Sequence, residues 1–350
     1  MYYILNTDFV PIMVLDRYNS FLWTDRYNET GDFEIETIPE TNLLNALVAD
    51  NYIYSTESKH EMIIEKRIIK SDPEEGATLT VSGSSLESIL KRRIVWNKTT
   101  LSGKLQDGIK QLINENIISP SDSSRKIDNF VFEDSTDTAI TNLELTAEYD
   151  KDNLYDILND VCETNKIGFR VTRNSSNQFV FSLYAGKDRT YEQTTNKFVL
   201  FSSKFDNLEN SEYTEDAIDS INTVLAVGGD NDSESKTVGS YTGLARREGY
   251  ISAGTMEDGY SGTYDDFLKE KANEELKDHK AEKKIEGEVN VNGFFQFGTD
   301  FDVGDIVEIE NEYGMRGKVR ITEIIFSEND EGTTMYPTFD EYEEEEESTT

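Results

Sequence analysis

Nucleophilic and general-base catalysis is usually carried out by histidine together with serine or cysteine. The chain has two histidines, His60 and His279, and a single cysteine, Cys162. Neither histidine belongs to a Gly-x-Ser-x-Gly or His-Glu-x-x-His motif, so we predict that both lie on the surface. Cys162 falls on the apolar side of a predicted helix, which indicates a small buried hydrophobic residue. One cysteine forms neither an intrachain disulfide nor a cysteine-rich metal site.

Acidic side chains are the most abundant groups that could act as acids, bases or metal ligands. The sequence has 70 of them, too many for one pair to be singled out as a glycoside-hydrolase pair. Asp230, Asp232 and Glu234 alternate as at the start of a calcium-binding loop. That loop requires glycine and glutamate where this chain has Ser235 and Tyr241. An ordinary acidic loop is therefore the better prediction, and a weak ion site at Asp230 and Asp232 stays open.

The dense basic run of the chain is Lys91-Arg92-Arg93, near the end of a predicted helix, where cations meet the helix dipole favourably. We predict that these cations pair with nearby carboxylates; a salt bridge to an acidic neighbouring subunit is the alternative. The whole chain has 34 basic and 70 acidic residues, a formal net charge of −36, and so repels nucleic acid and anionic membranes. We assign no catalytic, metal-binding or cofactor-binding residues, expect no cofactor, and predict that the protein is not an enzyme.

The first element that positions side chains is a predicted β-hairpin over residues 20–38. Phe21, Trp23, Phe33 and Ile35 alternate with other residues on both sides of a Gly-containing turn. A period of two on both sides of a short turn is typical of a hairpin with one buried face.

A repeated tetrapeptide marks this region. Asp-Arg-Tyr-Asn occurs at residues 16–19 and again at residues 25–28, which suggests that neighbouring strands carry the same chemistry. We expect Trp23 and Tyr27 to be buried in a barrel or at a ring interface and not in a ligand site.

Apolar residues at helical spacing follow the first predicted strands. Ser84 and Glu87 have the spacing of a helix capping box, and further helices are predicted over residues 104–118, 153–165 and 264–284. Strands return on both sides of the last of these helices, and we interpret them as one β unit that an insertion has split.

We predict an α+β, multidomain fold with two β-barrel-like tube domains, an α+β domain between them and an inserted loop and helix region. The predicted boundaries are 1–95 for the first tube domain, 96–195 for the α+β domain, 196–228 with 285–340 for the split second tube domain, 229–284 for the insertion, and 341–350 for a disordered acidic tail.

Two ends of the chain and one internal block resemble a known family. The segments that carry the resemblance are residues 14–23, 29–34, 81–90, 92–95, 301–307, 320–324 and 336–339. They resemble the tail-hub proteins of long-tailed phages and phage-tail-like particles of Gram-positive bacteria. These hubs are similar to the N-terminal part of tail-associated proteins and to the myophage baseplate hub.

The resemblance implies a structural hub at the distal end of a tail tube. A homotrimer with two tube domains per chain would adapt the sixfold tube to a threefold tip and line or close the channel. The implied partners are other copies of the chain, the distal tail protein, the tail tube, the tape-measure protein, and fibre or receptor-binding proteins, with DNA only in transit. The implied location is the tail tip of a virion or tail-like particle made in the host cytoplasm.

Two other function classes are alternatives to this hub. A cell-wall hydrolase or peptidase of the tail tip lacks a nucleophile or zinc motif in this sequence. A glycan-binding adhesin would use exposed aromatic residues of the insertion, namely Tyr241, Tyr250, Tyr260 and Tyr264. The sequence shows neither a signal peptide nor an apolar stretch long enough to span a bilayer, so stable membrane insertion is not expected.

Overall fold

The computed structural model describes residues 1–74, 76–229, 233–256, 262–289 and 294–340. The helices are α1 Thr41–Ala46, α2 Leu105–Ile113, α3 Thr138–Thr141, α4 Leu154–Thr164 and α5 Tyr264–Asp278. The strands are β1 Tyr2–Leu5, β2 Pro11–Leu15, β3 Ser20–Arg26, β4 Asp32–Thr37, β5 Tyr52–Ser55, β6 Glu61–Asp72, β7 Gly76–Ser85, β8 Thr99–Lys104, β9 Phe130–Glu133, β10 Glu144–Tyr149, β11 Gly168–Arg173, β12 Phe179–Tyr184, β13 Leu200–Ser202, β14 Leu208–Asp216, β15 Thr223–Gly228, β16 Glu234–Val238, β17 Glu248–Gly254, β18 Glu282–Val289, β19 Ile306–Glu310, β20 Arg316–Asn329 and β21 Gly332–Phe339.

The chain forms two compact units, which we call the main unit and the inserted unit. The main unit consists of Met1–Glu212 together with the chain from Glu286 onward, and the inserted unit is Tyr213–Ile285. Among the described residues, no helix combines the length and the apolar character that crossing a bilayer requires.

The largest sheet has thirteen strands, and most of them follow the order β14-β18-β21-β20-β3-β4-β7-β6-β5-β1-β2. The predicted mixture of sheets and helices is confirmed. In the part of the chain that the structure describes, however, this order is an open path and not a closed barrel. Strands from both ends of the chain belong to this sheet. They are joined where β20 pairs antiparallel with β3 over seven residue pairs.

The predicted hairpin is β3 and β4, and its register places Phe21 opposite Ile35 and Trp23 opposite Phe33. All four side chains are buried in a core beneath the sheet. Tyr27, which follows β3, is also buried. Since successive strand residues face opposite sides, the alternation seen in the sequence is what places these side chains on the core side.

The predicted helices of the middle segment are α2 and α4, which pack with β11 and β12 around a second core. Asn153 caps α4 by accepting a hydrogen bond from the backbone N–H of Tyr155. The capping box at Ser84 is wrong: Ser84 still pairs within the sheet, and a 3-10 helix, Leu86–Arg92, follows Ser85 without a side-chain cap.

The inserted unit contains α5 and a three-stranded sheet of order β16-β15-β17. Its core consists of Val224, Ala226, Leu268 and Ala272. The helix predicted over residues 264–284 ends at Asp278, and β18 begins at Glu282.

The strand predicted over residues 221–227 is β15. It pairs with β16 and β17 inside the inserted unit, so its predicted place with the closing strands is wrong. The predicted acidic tail, residues 341–350, lies outside the described residues.

Candidate functional site

Among the described residues, one face of the main sheet is exposed or partly exposed across six adjacent strands, and we call it the open face. Two rows of directly paired residues cross it from β6 to β21. The first row is Lys66, Ser82, Glu34, Leu22, Ser327 and Thr334, and the second is Ile68, Thr80, Glu36, Ser20, Asn329 and Gly332. None of these residues is buried. With strands about 4.8 Å apart, the six strands form a largely polar surface roughly 24 Å wide.

The opposite face is apolar on the central strands β7, β4 and β3. Trp23, Phe33 and Val81 are at most 2% exposed and belong to one core. The sheet therefore has one side sealed by packing and one side that can face an aqueous space.

Tyr27 joins three parts of the main unit. Its hydroxyl donates to the backbone carbonyl of Lys166 at 3.1 Å and accepts the backbone N–H of Gly186 at 3.2 Å. Gly304 packs so closely on its ring that a Cβ there would lie 2.2 Å from the ring edge. The guanidinium of Arg320 lies 5.2 Å from the ring centre. Burial raises the pKa of Tyr27 despite the opposing charge of Arg320, so the hydroxyl stays protonated.

Arg26 links the hairpin to the closing strand. Its guanidinium donates to Asp32 at 2.6 Å and forms an ion pair with Glu323 of β20. Burial lowers the pKa of Arg26, but its bonds to Asp32 and Glu323 outweigh that effect and raise it. The pair lies beside the junction of β3 and β20 and holds the two strands in register.

A cavity of about 560 Å³ lies beneath this junction in the main unit. Its lining includes Asp25, Lys59, His60, Arg170 and Asp302. Lys59 and Asp302 form an ion pair across residues far apart in the sequence. The guanidinium of Arg170 lies over a tyrosine ring, 4.6 Å from its centre.

His60 is 5% exposed, so the prediction of a surface histidine is wrong for this residue. Its Nδ1 atom lies 3.2 Å from Oε1 of Glu87, which is itself completely buried. The same carboxylate oxygen accepts the backbone N–H of Val171 at 2.7 Å. His60 is buried because Glu87 and β11, both distant in the sequence, pack against it.

The charges in this cluster compensate one another. Burial lowers the pKa of His60, but Glu87 and Asp25 outweigh it and raise the pKa to about 9. Burial raises the pKa of Glu87, yet His60 and its hydrogen bonds lower it overall. The pKa of Asp25 is raised, chiefly by burial. At neutral pH the cluster therefore contains a protonated histidine beside the ionised carboxylate of Glu87.

The hydrogen bonds at the cavity do not form a nucleophile and base pair. The hydroxyl of Ser58 donates to Asp25 at 2.8 Å, and the indole N–H of Trp23 donates to the same carboxylate at 2.8 Å. A catalytic serine would instead donate to the imidazole of His60, whereas Ser58 only accepts its backbone N–H at 3.0 Å. Among the described residues, no three histidine, cysteine or acidic side chains are grouped so as to hold a metal ion. The arrangement suits a structural ion cluster.

The basic run has three different environments. Arg92 lies 3.7 Å from the carboxylate of Glu65, as predicted for these cations. Lys91 lies over the ring of Tyr155, and Arg93 donates to the backbone carbonyl of Arg125.

The remaining predicted residues are scattered. Cys162 is buried in a helical core, as expected, and burial raises the pKa of its thiol. His279 is exposed at the end of α5. Asp230 and Asp232 lie outside the described residues, and Glu234 begins β16.

The tyrosines of the insertion differ in exposure. Tyr241 and Tyr250 are exposed, whereas the hydroxyl of Tyr264 donates to the backbone carbonyl of Gly254. Tyr260 lies outside the described residues.

The family model for Siphovirus ReqiPepy6 Gp37-like proteins matches residues 1–339. The chain belongs to this family of phage tail proteins. The resemblance predicted from the sequence is thereby confirmed, and it supports a structural role and a location in the tail of a virion. No curated protein matches the chain.

Solved structures share the fold over nearly the whole chain. A tail protein from Neisseria meningitidis MC58 has a TM-score of 0.61 and 12% identity, over 98% of this chain and 97% of that chain. A 43 kDa tail protein of prophage MuSo2 from Shewanella oneidensis has the same TM-score and identity, over 97% of each chain.

A chain of a larger complex also contains this fold. A chain of the Francisella PdpA–VgrG complex has a TM-score of 0.51 and 10% identity, with 97% of this chain matching 52% of that chain. At such low identities the likeness concerns the fold alone.

Proposed function

We propose that this protein is the structural hub at the distal end of a phage-like tail tube, where three copies form a ring that adapts the sixfold tube to a threefold tip. The observation that carries the proposal is the sheet shared by the first and last strands, with an open polar face on one side and a sealed core on the other. Family membership and the tail-protein fold support the structural role.

In this proposal the early and the late strands supply two tube-like domains per chain, so that three chains present six such domains. The proposed tube domains are 1–95 and 196–212 with 286–340, flanking an α+β domain at 96–195, and the proposed insertion is the inserted unit, 213–285. Arg26 and Glu323 would then join the two tube domains within each chain. A threefold ring could thereby match a sixfold partner.

The open face is the proposed channel lining. It is rich in serine and threonine and has Glu34 and Glu36 on its central strand β4. Carboxylates repel the phosphates of passing DNA, and hydroxyls hold water, so such a lining would let DNA exit with weak adhesion.

The proposed partners are the distal tail protein and tail tube above the ring, the tape-measure protein inside it, and fibre or receptor-binding proteins below it. The matching chain from Francisella is part of a complex of PdpA and VgrG, which supports the general idea that this fold associates with other proteins.

The decisive experiment combines light scattering after gel filtration with negative-stain electron microscopy of the purified protein. We expect a mass three times the 39.9 kDa of one chain, and a ring with a central channel. A single-chain mass at all concentrations up to about 100 μM, near the weak end of protein association, would contradict the trimeric hub.

A glycan-binding role is a second candidate, favoured by one feature of the inserted unit. Leu225 and Tyr250 are paired neighbours on β15 and β17, and both are exposed. An exposed aromatic ring beside an apolar side chain is a surface on which the apolar face of a sugar can stack. A glycan array probed with the wild-type chain and with Tyr250→Ala tests this role, and equal signals from the two would eliminate it.

A further inference from the structure

The second strand of the chain forms an edge of the main sheet. In the described part of the structure, β2 pairs with β1 and lies at the end of the strand order. Alternate N–H and C=O groups along the outer side of β2 therefore lack a strand partner.

This edge is apolar to a degree that is unusual for a chain with 30% charged residues. Residues 9–15 read Phe-Val-Pro-Ile-Met-Val-Leu, without one charge. Val10, just before β2, and Ile12 and Val14 within it are 52%, 46% and 43% exposed, and Ile12 lies at an irregularity in the pairing with β1. Tyr3 pairs with Val14 and extends the apolar surface. We call Tyr3, Val10, Ile12, Val14 and Tyr54 the β2 patch.

The β2 patch has a defined shape. The rings of Tyr3 and Tyr54 pack 6.2 Å apart on neighbouring strands. The turn before β2 is held by Asn6, whose side-chain oxygen accepts the backbone N–H groups of Asp8 and Val10. The edge is thus ordered before anything binds to it, which lowers the entropy cost of association.

Phe9 anchors the same turn. It has a φ of 60°, an uncommon conformation for a bulky residue, and its ring packs 4.7 Å from that of Tyr52. The guanidinium of Arg173 lies 4.9 Å from the same ring. These contacts tie β2 to the α+β part of the main unit.

Proteins normally protect a free edge with charged side chains, since an uncharged edge pairs with other chains. Pro11, which lacks an N–H group, and the pairing irregularity at Ile12 protect the start of β2 but leave Val14 beyond them. An edge left apolar at Val10, Ile12 and Val14 is therefore expected to be covered in the working protein.

We propose that the β2 patch is covered by a second copy of this chain, which adds a strand or an apolar surface to the edge. The net charge of the chain limits where two copies can contact each other. Two chains that each carry a net charge of −36 repel over most of their surfaces, so they can approach closely only where both are locally uncharged. The β2 patch meets that condition. This inference rests on the proposed ring, because a ring requires such contacts between copies.

The test compares Ile12→Lys with the matched control Ile218→Lys, which places the same charge at an isoleucine 85% exposed in the inserted unit. Association is measured by sedimentation velocity across a dilution series, and folding by thermal unfolding. We expect Ile12→Lys to raise the dissociation constant about tenfold or more, whereas Ile218→Lys leaves it unchanged. A folded Ile12→Lys variant that associates like the wild type overturns the proposal and leaves the proposed hub function standing.

Hydrogen exchange of the wild-type protein provides a readout that does not depend on a variant. We expect the amides of β2 to exchange slowly in the assembly and faster on dilution, while the amides of β4, which is paired on both sides, do not change. Fast exchange of the β2 amides in a trimeric protein overturns this proposal and leaves the ring standing. The same holds if the β2 amides become protected only when another tail protein is added. A wild-type chain that stays monomeric removes the proposed ring itself.

Discussion

The two copies of the tetrapeptide Asp-Arg-Tyr-Asn are identical in sequence and differ in every structural respect that matters. Asp16 and Arg17 are exposed, and Arg17 reaches Glu40 only at 3.9 Å. In the second copy, Asp25 is 1% exposed and Arg26 is held by two carboxylates. Local sequence therefore does not determine these environments.

The tyrosines of the two copies differ as well. Tyr18 is half-buried and donates to Glu328, whereas Tyr27 is buried at the junction with Gly304 and Lys166. The second copy lies where β3 meets β20, and the first lies before β3 begins. Position relative to the shared sheet thus decides which copy is structural. The same substitution made at the same position of both copies gives a matched pair of variants that tests this difference.

Replacement of each tyrosine by alanine is expected to give the largest difference in unfolding free energy between the two copies. Tyr27→Ala should lower the free energy of unfolding by about 3–5 kcal/mol, because it leaves a cavity beside Gly168 and Gly304. Tyr18→Ala removes a half-buried ring and should cost about 1–2 kcal/mol. Urea unfolding followed by circular dichroism measures both. Equal losses would mean that the junction does not stabilise the fold more than the strand entry does.

The aspartates should differ in how they affect alkaline stability. The pKa of His60 is about 9 in the folded protein against an ordinary 6.5, so the folded state binds its proton more tightly. The resulting stability is complete below about pH 6.5 and is lost as the pH rises through 9, by about 3 kcal/mol.

Asp25→Asn tests the source of that loss. Because Asp25 helps to raise the pKa of His60, the variant should show a smaller decrease in unfolding free energy between pH 6.5 and 9. Asp16→Asn, at the exposed position, should reproduce the wild-type curve. A wild-type protein whose stability is flat across this range would contradict the protonated cluster.

The arginines should give a smaller contrast. Arg26→Ala removes charged hydrogen bonds to Asp32 and Glu323 and should cost about 1–3 kcal/mol. Arg17→Ala removes an exposed pair and should stay within about 0.5 kcal/mol. Thermal unfolding at low and high salt separates them, since salt should weaken only the exposed pair appreciably. Indistinguishable variants would argue against a structural role for Arg26.

Removal of the two tyrosine hydroxyls should give the smallest difference between the two copies. Tyr18→Phe deletes one hydrogen bond to Glu328, which keeps a second one from Tyr2, so the expected cost is about 1 kcal/mol. Tyr27→Phe should cost more, since the N–H of Gly186 would lose its acceptor. Chemical denaturation measures both losses of unfolding free energy. A larger loss for Tyr18→Phe than for Tyr27→Phe would show that the hydrogen bond to Glu328 stabilises the fold more than the bonds of Tyr27.

The hairpin could be predicted because its pattern is local. Phe21, Trp23, Phe33 and Ile35 alternate at a period of two, and that alternation specifies both the strands and the buried face. Helix α4 was equally readable, since its apolar spacing and the cap at Asn153 lie within one short segment.

Long-range pairing could not be predicted in the same way. A strand pattern shows which side chains are buried but not which strand lies beside it, so the partnership of β3 and β20 was invisible. The inserted unit was misjudged for the same reason, because β15 looks like any other strand.

The buried ion cluster is a second feature that lies beyond local sequence. His60 stands among polar residues, and only the folded chain brings Glu87 and Asp25 to it. The open face follows partly from sequence, since Glu34 and Glu36 alternate with buried residues, but its width depends on the strand order.

The pairing of β3 with β20 also has a consequence for the order in which the chain is made. The two strands are roughly 300 residues apart in the sequence. During synthesis at the ribosome, one edge of β3 therefore stays unpaired until almost all of the main unit has been translated. Chains that end early would leave that edge bare and would aggregate or be degraded before they could enter a particle. The same hydrogen bonds that complete the sheet would thereby exclude incomplete copies from assembly.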